Sequence, residues 1–130
     1  MGANGQSCER GRRALLIEDN KLVRGALHEV VGLLGYNTDA AASGREGLAL
    51  FERNQYDVVL TNLRMPEMTG FDVLEAVRLR NPKIPVVIVT GAPIDDDDWR
   101  VTRPGVALVH KPVDVGFLES ALTQVLQAPA

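Results

Sequence analysis

Four short apolar runs in this chain end in residues able to do chemistry. Ala14-Leu15-Leu16-Ile17 is followed at once by two adjacent carboxylates, Glu18 and Asp19. Paired hard oxygen ligands are what Mg²⁺ prefers, with waters and a phosphate completing its octahedron. The run ending in Leu60-Thr61 is followed by Asn62, an amide. Pro85-Val86-Val87-Ile88-Val89 ends in Thr90, whose hydroxyl can donate to a phosphoryl oxygen. Val106-Ala107-Leu108-Val109 leads through His110 to Lys111, a point charge suited to a phosphate or a carboxylate. Two acids, an amide, a hydroxyl and an ammonium could therefore bind a phosphoryl group beside a metal ion, provided the fold brings them together.

The elements that must position them follow from periodicity. The run 14–17 lacks polar alternation, as a parallel strand covered on both faces does. Over 21–34, Leu22, Val23, Ala26, Leu27, Val30, Val31 and Leu34 recur at helical spacing, and Gly35 supplies a C-cap. A weak strand is expected over 36–41. Ser43 with Glu46 forms a capping box for a helix whose apolar face is Leu48, Ala49 and Phe51. A buried strand over 57–61, a loop over 62–70 marked by Pro66 and Gly70, and a helix over 71–79 ended by Asn81-Pro82 come next. Strands are then expected over 85–90 and 106–109. A last helix spans 113–127, capped by Asp114, with Phe117, Leu118, Leu122, Val125 and Leu126 inward. Fivefold strand-helix alternation implies a parallel sheet with helices on both faces and right-handed crossovers. Ligands in such sheets bind outside the carboxyl ends of the strands, where the chemical residues lie.

The pieces Leu16-Ile17-Glu18-Asp19-Asn20, Asn62-Leu63-Arg64-Met65-Pro66-Glu67-Met68-Thr69-Gly70, Val89-Thr90-Gly91 and Lys111-Pro112 are each weak signals alone. In this order, each closing an expected strand, they resemble the receiver domain of two-component response regulators over nearly the whole chain, from Ala14 to Leu126. The resemblance implies a flavodoxin-like, doubly wound (βα)5 three-layer sandwich with sheet order 2-1-3-4-5. It also implies that Glu18 and Asp19 hold Mg²⁺ and that Arg64 lends the metal its backbone carbonyl. Asn62 matches the aspartate that takes phosphate from a histidine kinase. Thr90 matches the hydroxyl that moves toward the phosphoryl group, and Lys111 the lysine that pairs with acceptor and phosphate. Family members usually have a cis peptide before the proline matching Pro112.

Three departures qualify that picture. In-line phosphoryl transfer needs a nucleophilic oxygen, and a neutral amide oxygen is far poorer than a carboxylate. Asn62 should therefore block phosphorylation and weaken Mg²⁺ binding. With the other site residues intact, Asn62 reads as an engineered or recent change in an otherwise competent receiver. The alternative is a natural pseudo-receiver that acts as a phosphorylation-independent interaction module. Second, Gly91-Ala92-Pro93-Ile94, the acidic run 95–98, Trp99, Arg100 and Pro104-Gly105 stand where the family has a full helix. Asp residues suit a first turn, but Pro104 restricts the chain beyond it, so a distorted fourth helix of about two turns is expected. Trp99 is expected to pack it against the sheet edge, with an exposed partner contact as the alternative. The acidic run is read as a solvated face. Third, Leu108 stands where most members carry Tyr or Phe, and a leucine cannot reproduce an aromatic switch with a polar tip.

The 130 residues, 45% hydrophobic and 24% charged, fit one soluble domain over 13–128 behind a flexible tail over 1–12. A net charge of −3 points to neither a nucleic acid nor a membrane. No apolar run is long enough to span a membrane, and the N-terminus does not read as a secretory signal. Cys8, the only cysteine, fits a reducing compartment, hence the cytoplasm. Arg10, Arg12 and Arg13 read as a solvated arm. No Gly-x-Ser-x-Gly turn supports a hydrolase, and the first strand-helix turn lacks the glycines of a nucleotide site. A small Mg²⁺ phosphatase is disfavoured for want of a base beyond the metal acids, so no enzyme is expected. His28 and His110 read as solvated or satisfied, and Met65 and Met68 as packing or partner-facing. The implied partners are a histidine kinase or phosphotransfer protein. The surface of the fourth helix, fifth strand and fifth helix would serve a homodimer or output partner. No output domain fits in the remaining residues, so the chain is read as a stand-alone receiver or one cut from a larger regulator or hybrid kinase.

Overall fold

The computed structural model describes residues 11–127. The elements run β1 (Arg13–Ile17), α1 (Lys21–Leu33), β2 (Asn37–Ala41), α2 (Gly44–Arg53), β3 (Val58–Asn62), α3 (Gly70–Arg80), β4 (Val86–Thr90), β5 (Val106–His110) and α4 (Val115–Gln127). All strand pairs are parallel, and the sheet order is β2-β1-β3-β4-β5. That is the flavodoxin-like order expected from the sequence. Arg10, Cys8 and most of the expected tail lie outside the described residues, as does residue 128.

Both faces of the sheet are covered, which explains the unbroken apolar runs. Ala14, Leu16, Val58, Leu60, Val87 and Val89 pack against α1 and α4 through Leu27, Val31, Leu118 and Leu122. The alternate residues Leu15, Ile17, Val59, Val86 and Ile88 pack on the other side with Val73, Leu74 and Val77 of α3. Successive side chains of a strand point to opposite faces, so one run supplies two cores.

Helix starts are set by caps. The Asn20 side chain accepts from the Val23 amide at 3.0 Å. Ser43 accepts from Glu46 N at 3.1 Å, while Glu46 reaches back to Ala42 N at 2.8 Å, one residue before the expected partner. Thr69 and Asp72 form a reciprocal capping box, which starts α3 a residue earlier than the periodicity indicated. Asp114 accepts from Phe117 N at 2.8 Å, the expected cap, although the helix begins at Val115. At the end of α1, Gly35 takes a φ of 103°, which a side chain would resist.

Four expectations need correction. No α-helix lies between β4 and β5; residues 91–105 form isolated turns. Pro93 and Pro104 bracket the segment, and Asp98 turns its carboxylate onto the Arg100 backbone at 2.9 Å, a local bond that competes with helix. Within the segment the backbone bonds are two i→i−3 turns, Asp98 N to Asp95 O and Val101 N to Asp98 O, and a single i→i−4 bond, Thr102 N to Asp98 O. Trp99 is 69% exposed, and with no helix to carry it, it does not pack on the sheet edge. Phe117 and Leu22 are also exposed, on the outer sides of α4 and α1. Arg13 is not part of a solvated arm: it begins β1, pairs with Asp39 at 3.2 Å and lies over the Tyr56 ring.

Candidate functional site

The C-terminal ends of β1, β3, β4 and β5 bring the sequence-predicted residues to one edge of the sheet. Glu18 extends β1, its amide donating to Ala41 O, and its side chain is 1% exposed. Burying a carboxylate is costly unless every oxygen is satisfied. Here Oε1 accepts from Lys111 Nζ at 3.0 Å, and Oε2 accepts from Asn20 N at 3.1 Å and Asn62 Nδ2 at 3.2 Å. Asp19 is exposed, and its Oδ1 accepts from Asn62 Nδ2 at 3.2 Å.

Asn62 ends the central strand β3, opposite Val89 of β4, and is buried. Its Nδ2 also donates to the backbone carbonyl of Arg64 at 2.9 Å. Its Oδ1 faces Lys111 Nζ at 3.4 Å. These neighbours fix which way the amide points: carboxylates and carbonyls only accept, and an ammonium only donates. The chain must then turn sharply. Gly70 donates to Leu63 O at 2.8 Å, and a Cβ on Gly70 would lie 2.6 Å from the Asn62 carbonyl oxygen. A side chain there would push α3 off the strand end. Lys111 is placed by its own amide, which donates to Thr90 O at 2.8 Å, and the peptide to Pro112 is cis.

Thr90 is the least engaged of the set. It is buried, and its hydroxyl accepts from Ala92 N at 2.9 Å. Its link to the others is the backbone bond to Lys111. The structure thus joins Glu18, Asp19, Asn62, Arg64 O and Lys111 directly and leaves Thr90 at the margin.

Two participants were not read from the sequence. Arg24, one turn into α1, donates to the carbonyls of Glu18 at 2.9 Å and Asp19 at 3.4 Å, pinning the acidic turn. Its position in a helix that begins directly after the acids was the available signal. Arg100 stacks its guanidinium over Phe71 at 4.0 Å and is chelated by Asp98. The arginine holds the Asp98 carboxyl well below its usual range, at about 2. A cavity of about 590 Å³ beside the site is lined by Arg64, Met65, Phe71, Ile94 and Arg100 among others. His110 contacts Asp96 at 2.9 Å, and His28 contacts Thr38 O, so both histidines are satisfied.

The site's formal charge is −1: Glu18 and Asp19 contribute −2 and Lys111 +1. Among the described residues, no group of three or more His, Cys, Asp or Glu side chains could hold a metal. The oxygens of Glu18, Asp19 and Arg64 converge, as a hard cation requires, but the amide between them presents N–H rather than oxygen. In this arrangement the donor set does not fit Mg²⁺. Among the described residues, no helix is long and apolar enough to cross a membrane.

Comparison with known proteins agrees with this geometry. The family model described as "Response regulator receiver domain" matches residues 14–123. The chain is 27% identical over 117 residues to the response regulator protein PilR of Pseudomonas aeruginosa, covering 89% of this chain and 26% of PilR. It is 34% identical over 116 residues to the regulatory protein AtoC of Escherichia coli, covering 88% of this chain and 25% of AtoC. It therefore spans about a quarter of the length of these relatives. A crystal structure of a response regulator receiver domain protein from Clostridium thermocellum superposes with a TM-score of 0.81 at 27% identity, covering 88% of this chain and 94% of that one. With a parallel sheet in the order 2-1-3-4-5 and one edge of that sheet carrying its acids and lysine, this chain belongs to the response regulator receiver domain family.

Proposed function

We propose that this chain is a two-component receiver domain whose phosphoacceptor position is held by Asn62, so that as written it engages partners without accepting phosphate. The carrying observation is the position of Asn62: buried at the end of the central strand, between the carboxylates of Glu18 and Asp19 and the ammonium of Lys111. Attack on phosphorus from this point needs an anionic oxygen, and the amide supplies none. The intact Glu18, Asp19, Thr90 and Lys111 set supports Asn62 as a change in an otherwise competent receiver. Receiver domains generally bind Mg²⁺; here, with one carboxylate fewer and the Asn62 N–H groups already on those oxygens, Glu18, Asp19 and Arg64 O would hold it only weakly, and only once the amide is displaced. The domain is not itself an enzyme. Its partners are a histidine kinase or phosphotransfer protein at the site edge, and an output protein or second copy at the face of residues 91–105, β5 and α4. Trp99, Val115 and Phe117 are exposed on those elements. The reading places the protein in the cytoplasm.

The test is phosphoryl labelling. Incubated with acetyl phosphate and Mg²⁺, the chain bearing Asn62 (called wild type below) should gain no phosphoryl group by intact mass. Asn62→Asp should gain one that maps to residue 62. Labelling of wild type at Asn62, or none in the variant, contradicts the proposal.

A second reading, a module that never uses phosphate, is favoured by the missing fourth helix and by Leu108. That side chain packs half-buried on the sheet with no polar tip to respond at the site. It predicts that phosphorylating Asn62→Asp leaves partner affinity unchanged.

A further inference from the structure

We infer that the side-chain amide of Asn62 takes the place of the divalent cation, so that the acidic turn and the loop after β3 are held in their assembled arrangement without metal. The inference rests on the proposed placement of Asn62 at the acceptor position. Three oxygens from two loops, Glu18 Oε2, Asp19 Oδ1 and Arg64 O, converge on one atom, Asn62 Nδ2, at 3.2, 3.2 and 2.9 Å. These are ordinary hydrogen-bond lengths, and the two N–H groups serve three acceptors by sharing. The partly positive NH₂ group thus does for these oxygens what a bound cation would do, and it ties the same two loops together.

A metal could enter only by displacing it. Turning the amide over would aim Oδ1 at the three oxygens, where it could serve as a neutral ligand. The same turn would aim Nδ2 at Lys111 Nζ, now 3.4 Å from Oδ1. Two donors would then face each other with no acceptor between them. Leaving the amide as it is sets N–H groups against the cation. Either way Mg²⁺ loses, beyond the charge of the missing carboxylate, the hydrogen bonds it must break. An aspartate at 62 keeps the attraction to Lys111 but reverses the sign of the three contacts that Nδ2 makes. Its oxygens would repel Glu18 and Asp19 until a cation arrived, and the same loops would become metal-dependent.

The consequence is a surface around the site that a partner meets in one form at any Mg²⁺ concentration. Thermal unfolding of the full chain, with chelator and with millimolar Mg²⁺, reads this directly. Wild type should melt at the same temperature in both. Asn62→Asp should melt lower in chelator and rise by about 4 °C once Mg²⁺ stands tenfold above its dissociation constant. Should that variant fail to fold in chelator, wild type alone decides the matter. Its Asn62 side-chain NH₂ resonances should be dispersed and unmoved by Mg²⁺ in a ¹H–¹⁵N spectrum. A Mg²⁺-induced rise in the wild-type melting temperature, or migration of those resonances, overturns the inference. It leaves the receiver reading standing if Asn62→Asp still takes phosphate. A variant that responds to neither Mg²⁺ nor acetyl phosphate overturns the receiver reading itself.

Discussion

At Asn62 an amide nitrogen stands where a carboxylate would put an oxygen, and the neighbours record the difference. Glu18 is the residue most sensitive to its consequences, because it is buried and its charge is balanced by one ammonium. Removing one partner of a buried pair leaves the other uncompensated, which costs more than the pair contributes net. Lys111→Met should therefore destabilise the domain by about 2 kcal/mol, the usual figure being reduced because the lysine is partly exposed. Adding Glu18→Gln to that variant should recover part of the loss, since no buried charge then remains. Urea titrations of the single and double variants measure both. A double variant less stable than Lys111→Met by the full cost of a second independent site would contradict the coupling.

At the scale of elements, the segment 91–105 shows how contacts replace a helix. Val101 is buried, Arg103 pairs with Glu75 at 2.6 Å, Arg78 donates to Pro104 O at 3.0 Å, and Arg100 lies on Phe71. Arg100→Ala should remove both the stacking and the Asp98 chelation. The segment should then exchange its amides faster and be cut earlier by protease, while β1, β3 and β4 keep their protection. The Asp98 carboxyl adds a pH dependence of definite sign. Its folded value of about 2 lies below its ordinary 3.8, so its stabilisation is complete above the ordinary value and is lost as pH falls toward the folded one. Amide exchange at Val101 and Thr102 should therefore quicken over that acid interval in wild type and show no such interval in Asp98→Asn.

This segment is also where the sequence was least legible. Strands β1, β3 and β4 were readable because burial on both faces leaves a continuous apolar run, whatever the surrounding chain does. The residues that close these strands and β5 then indicated Glu18, Asp19, Asn62, Thr90 and Lys111 as one site, because parallel topology puts all those strand ends at one edge. The segment 91–105 has no such run. Whether four aspartates begin a helix or fold onto their own backbone depends on the bond from Arg100 N to Asp98, which propensity does not reveal. Trp99 and Phe117 were misplaced for a related reason: an aromatic is read as core unless the element that would cover it is known to be absent, and no helix forms over 91–105. The orientation of the Asn62 amide was likewise beyond the sequence, since it depends on having acceptors on one side and a donor on the other.

Over the whole molecule, a rigid two-faced core carries a site at one end and an irregular, partly apolar face beside it. The account depends on these residues acting as one receiver site in which only residue 62 prevents phosphoryl chemistry. Two-dimensional NMR of Asn62→Asp with Mg²⁺ and beryllofluoride, run beside wild type under the same conditions, tests that most directly. The account predicts shifts in the variant concentrated at Glu18 and Asp19, residues 62–64, Thr90 and Gly91, and Lys111, with the wild-type spectrum unchanged. A variant spectrum that does not move, or a wild-type spectrum that moves equally, would contradict it.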